Sequence, residues 1–142
     1  MAAISRAALR NTTRSVSIPK LAGGLLLLAF VISAAYQLYR STIMALPAYD
    51  AFGLSSVLLY SCALAISWLA TTGRRWATWL AFVTSMLWIL LGILFYFPTI
   101  TALRVFGPID WAEGVLYLAL IFAAAVLLAL DLLGVSLTPS EK

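Results

Sequence analysis

Tyr36, Gln37, Tyr60 and Tyr117 are the side chains of this sequence best suited to hold a small molecule, because each sets a hydrogen-bonding group in an otherwise apolar stretch. Ser33, Tyr36, Gln37 and Arg40 recur at i, i+3, i+4 and i+7, the spacing of one helix face. Ser56, Tyr60, Ala63 and Ser67 form a second such stripe, and Ala81, Ser85, Trp88 and Gly92 a third. The fourth is Gly114, Tyr117, Ile121, Ala124, Leu128 and Asp131. If the four stripes face one another, the three tyrosines and Gln37 line a pocket for a quinone, a lipid head group or another amphipathic ligand. In the plainer alternative these groups satisfy each other between helices, with the tyrosines as anchors at a membrane interface.

The acids offer less chemistry. Apart from Glu113 at the very start of the last run, Asp131 is the one carboxylate inside an apolar run, where an acid suggests a proton or cation site. It stands near the end of that run, within reach of Arg74 and Arg75, so an ion pair Asp131–Arg74/Arg75 or a side chain reaching for the interface is expected. Proton relays need a chain of titratable groups, and the middle of every apolar run has none. Asp110 and Glu113, three residues apart with Arg104 nearby, are the candidates for catalysis on a lipid. Their position at the start of an apolar run points instead to helix capping and ion pairing with Arg40 or Arg104.

Whole classes of reaction are missing. The chain has no histidine and a single cysteine, Cys62, which removes histidine-ligated haem, imidazole–metal sites, histidine acid–base catalysis and dithiol redox relays. Cys62 lies within an apolar run and reads as a small packing residue. No phosphate-binding glycine loop, nucleophile elbow or zinc signature occurs. No catalytic residue, cofactor or metal is expected, and no nucleic-acid partner.

The elements that must position these residues follow from composition. Of 142 residues 64% are hydrophobic and 10% charged, with a mean hydropathy of +1.06, against about 25% charged in a soluble domain. The expected solvent is lipid. Apolar runs at 21–39, 51–70, 76–97 and 111–133 each have the length of a membrane-spanning helix, about 20 residues. The expected fold is all-α: an integral membrane four-helix transmembrane bundle spanning residues 21–133, with a short polar tail at 134–142. Residues 1–20 form a basic tail whose Arg6, Arg10 and Arg14 repeat at i, i+4, i+8 ahead of Lys20, an amphipathic segment for the inner membrane surface that also has the traits of an organellar transit peptide. Between the last two spans, residues 98–110 are expected to hold a short interfacial helix, with Pro98 closing the third span.

Charge sets orientation. Arg6, Arg10, Arg14, Lys20, Arg74, Arg75 and Lys142 fall on one side, and only Arg40 and Arg104 on the other. Seven against two places both termini inside. The bacterial inner (plasma) membrane is the leading expectation and the mitochondrial inner membrane the alternative. A bundle with so little reactive equipment is expected to be a non-catalytic accessory subunit of a larger membrane complex, such as a respiratory or transport assembly. It would pack through bulky flank residues such as Phe30, Phe82, Phe95 and Phe122, its partners being the lipid bilayer and larger membrane subunits. The alternative is a small homo-oligomeric transporter or channel for a neutral or lipidic solute.

Overall fold

The computed structural model describes residues 17–43, 52–103 and 105–135. Arg6, Arg10, Arg14, Asp50, Arg104 and Lys142 lie outside the described residues. Among the described residues four helices make up the fold: α1 (Ile18–Ile43), α2 (Leu54–Ala70), α3 (Arg75–Leu103) and α4 (Pro108–Leu132). No strand occurs among the described residues. With 26, 29 and 25 residues, α1, α3 and α4 are long and apolar enough to cross a membrane, the mark of a multi-pass membrane protein. The 17 residues of α2 rise about 25 Å, the lower bound for a span.

Each helix packs against the next in chain order, and α4 closes back onto α1 through the most extensive contact of the four. The core is built largely from small side chains: Ala22 and Ala29 on α1, Ala63 and Ala70 on α2, Ala77 and Ala81 on α3, Ala124 and Ala125 on α4. Where lipid tails are as apolar as leucine, helices gain little by hiding apolar surface and associate by close packing, which small residues permit. Gly23 marks the tightest approach. A Cβ there would stand 2.6 Å from Thr71 Cγ2 and 2.9 Å from the Ser67 carbonyl oxygen, so α1 can cross α2 at this height only without a side chain. The buried hydroxyls of Ser67 and Ser85 each donate to their own helix, to the carbonyls of Ala63 and Ala81, both at 2.7 Å. They therefore need no partner across the interface.

All four stripes read from sequence turn inward: none of their residues is exposed. The flanks divide differently from expectation. Phe95 and Phe122 face outward, 65% and 61% exposed, but Phe30 is 2% exposed, and Phe82 packs on the core. Phe30 lies three residues before Ser33 and so extends the inward stripe of α1. Cys62 is exposed on α2 rather than packed, because it directly precedes Ala63 and the inward face of α2 follows Tyr60, Ala63 and Ser67.

Several boundaries also moved, two of them at prolines. α1 takes in Ile18, Pro19 and Lys20, because proline in a first helical turn loses no hydrogen bond; the Ser17 carbonyl accepts from the N–H groups of Lys20 and Leu21 at 3.0 and 3.2 Å. Farther along the chain, Pro98 does not close the third span. The α-helical stretch Arg75–Leu91 widens into a π turn, Gly92–Tyr96, and continues as Phe97–Leu103. A proline ring collides with the carbonyl four residues before it in a regular α-helix, and a wide turn placed just upstream relieves that collision. The segment expected as a separate interfacial helix is thus the last two turns of α3.

Between α2 and α3 the chain reverses in four residues, 71–74. Thr71 and Thr72 return their hydroxyls to the carbonyls of Trp68 and Leu69, at 2.6 and 2.7 Å. Gly73 then takes φ +69°, a left-handed conformation that glycine adopts without steric cost.

Candidate functional site

At the bundle end opposite the α2–α3 turn, the four helices enclose a cavity of about 500 Å³. The reason lies in side-chain size. Alanine and serine draw the helices together near the turn, whereas tyrosine, tryptophan and phenylalanine hold them apart at this end, and the π turn of α3 widens the same region. Tyr36 and Gln37 reach the cavity from α1, Tyr60 from α2 and Tyr117 from α4. The four residues singled out from sequence are therefore brought together on one wall system.

Trp88 and Tyr117 line the cavity, backed by Phe30. Phe30 sits edge-on to both Trp88 and Tyr117, with ring centroids 5.6 and 5.9 Å away, a favourable geometry for ring quadrupoles. Towards the mouth, Phe97, Phe106 and Trp111 form a second cluster at 5.3 to 6.1 Å. Phe97 is seated directly over Gly114, where a Cβ would stand 2.9 Å from its Cζ.

The polar groups are grouped in two knots. In the first, Asp110 Oδ1 accepts the Tyr36 hydroxyl and lies 3.8 Å from Arg40 Nε, while Oδ2 accepts the Gly107 N–H at 2.7 Å. Asp110 thus combines the helix capping and ion pairing expected of it. The Arg40 guanidinium, 1% exposed, also lies 5.7 Å from the centre of the Tyr36 ring, within the range of a cation–π contact. In the second knot, the Ser33 and Tyr60 hydroxyls are 3.1 Å apart, joining α1 to α2, and Ser33 also faces Glu113. Glu113 lines the cavity one turn beyond Asp110.

Sequence reasoning missed Trp88, Phe97, Phe106 and Glu113 as wall residues. Glu113 and Tyr117 stand at i and i+4 beside Gly114, and that spacing carried the signal for Glu113. Nothing in the local sequence marked the inward turn of Phe97 and Phe106, which depends on the helix continuing past Pro98. Among the described residues no ion pair joins Asp131 to Arg74 or Arg75: Asp131 is half-buried on α4, and both arginines are exposed at the α2–α3 turn. Lys20 is exposed in the first turn of α1. Among the described residues no three histidine, cysteine, aspartate or glutamate side chains come together as a metal site. What the arrangement provides is a partly enclosed aromatic chamber with hydroxyl, amide and carboxylate groups on its walls.

No protein-family model matches the chain, and neither the curated proteins nor the solved structures contain a match to it.

Proposed function

We propose that this chain is a four-span membrane protein, with both termini inside, that binds an amphipathic small molecule in the chamber between its helices, as a small homo-oligomeric carrier or channel for a neutral or lipidic solute would. What carries the reading is the convergence of Tyr36, Gln37, Tyr60 and Tyr117 from three helices on one cavity of about 500 Å³. Pockets for small ligands commonly measure roughly 300–1,000 Å³, with apolar walls and a few polar groups. Placing the basic side inside puts the chamber in the outer half of the bilayer, in the plasma membrane of a bacterium or the mitochondrial inner membrane. The N-terminal arginines Arg6, Arg10 and Arg14 and Lys20 then meet anionic lipid on the inner surface.

Native mass spectrometry of protein released gently from membranes tests the binding. Wild type is expected to retain a small molecule, and Gly92→Leu, which grows a side chain into the chamber from α3, is expected to lose it. Equal retention by both, or none by wild type, rejects the reading.

A second reading, an accessory subunit of a larger respiratory or transport complex, draws support from the bulky outward residues Phe95, Phe122 and Trp111, 65%, 61% and 50% exposed. Such side chains suit a partner helix as well as they suit lipid. Blue-native electrophoresis of mildly solubilised membranes separates the two: the subunit reading requires migration with much larger chains, and the carrier reading requires a homo-oligomer.

A further inference from the structure

Resting on the ligand-binding reading, we propose that the chamber selects an amphipathic cation, with an ammonium-type head group held by Glu113 and the aromatic walls, and an apolar portion directed along the helices. Two carboxylates, Asp110 and Glu113, line the cavity. Asp110 is already engaged, by Arg40 at 3.8 Å, by the Tyr36 hydroxyl and by the Gly107 N–H. Glu113 makes no ion pair among the described residues and faces the Ser33 hydroxyl. A carboxylate in an apolar chamber stays ionised only at a cost unless a cation meets it, and among the described residues no side-chain cation pairs with Glu113. The surrounding surface suits the same class of guest. Trp88, Tyr117, Tyr60 and Phe97 contribute to the cavity lining from three helices, and aromatic ring faces attract ammonium groups. An anionic head group would meet Glu113 unfavourably, while the one described cation of the site, Arg40, stands behind Asp110 and is not part of the lining.

The test compares three probes that share a tail: octyltrimethylammonium, 1-octanol and octyl sulfate. Each is titrated by calorimetry into the full chain in lipid nanodiscs, with empty nanodiscs subtracted. The ammonium probe is expected to bind at least tenfold more tightly than octanol, and octyl sulfate more weakly than either. Glu113→Gln is expected to remove the preference for the ammonium probe while leaving octanol binding within twofold, and Glu113→Asp is expected to keep it. If ammonium and octanol bind equally to wild type, or Glu113→Gln keeps the tenfold preference, the cation assignment is overturned while the ligand-binding reading stands. If none of the three binds above the empty-disc signal, and Gly92→Leu does not differ from wild type, the ligand-binding reading itself fails.

Discussion

Arg40, near the end of α1, places its Nε 3.8 Å from Asp110 Oδ1 in the first turn of α4, and so ties the first helix of the bundle to the last at the mouth of the chamber. The arginine is 1% exposed and the aspartate 19%. Taking two charges from water is costly, so such a pair fixes which helices meet more than it adds to stability, whereas removing one partner strands the other.

Asp110→Asn is therefore expected to destabilise the fold by roughly 1–3 kcal/mol, because it removes the carboxylate that pairs with Arg40 and accepts from the Tyr36 hydroxyl and the Gly107 N–H. Arg40→Met combined with Asp110→Asn is expected to recover part of that loss. Unfolding of the purified protein in bicelles measures both. An Asp110→Asn variant as stable as wild type would contradict the pairing.

Gly23 and Gly24 are neighbours in sequence with opposite surroundings. A Cβ at Gly23 meets Thr71 and the Ser67 backbone, and one at Gly24 meets nothing within 4 Å. Gly23→Ala is expected to cost about 1–3 kcal/mol by overpacking the α1–α2 crossing. Gly24→Ala is expected to stay within roughly 0.5 kcal/mol, as substitutions away from contacts usually do. The same unfolding assay compares the two, and equal effects would show that the close crossing is not formed.

Phe30 and Phe122 separate core packing from surface docking. Phe30→Ala empties a buried site shared with Trp88 and Tyr117 and is expected to cost about 3–5 kcal/mol. Phe122→Ala, at a residue 61% exposed, is expected to leave the isolated chain unchanged. If the chain serves as an accessory subunit, Phe122→Ala together with Phe95→Ala dissociates it from its complex, seen as loss of the high-mass band on native gels, with no change in its own unfolding.

Topology is tested with single cysteines in a Cys62→Ser background. Thr72, in the exposed α2–α3 turn, and Ile109, 65% exposed at the start of α4, belong to opposite ends of the bundle. With both termini inside, a membrane-impermeant maleimide added to intact cells labels Ile109→Cys, and labels Thr72→Cys only after the membrane is opened. The reverse pattern would invert the orientation.

By itself the sequence determined the solvent, the helical class and the inward faces. A 10% charge content cannot coat a soluble surface, apolar runs of helical length suit a bilayer, and the i, i+3, i+4 recurrence of small and polar residues fixes one face per helix, as Tyr36, Tyr60, Ser85 and Tyr117 illustrate. Tertiary structure alone decided the depth and height at which those faces meet. Phe30 and Phe122 are the same residue type in similar apolar surroundings, yet one is buried behind Trp88 and Tyr117 and the other faces outward, because helix rotation is set by where neighbouring backbones can touch, as at Gly23. The chamber likewise depends on the α3 backbone passing Pro98 through a π turn, a choice no spacing rule records. Glu113 gains its significance only there: in sequence it is one acid at a helix start, and in the fold it is a carboxylate among aromatic rings.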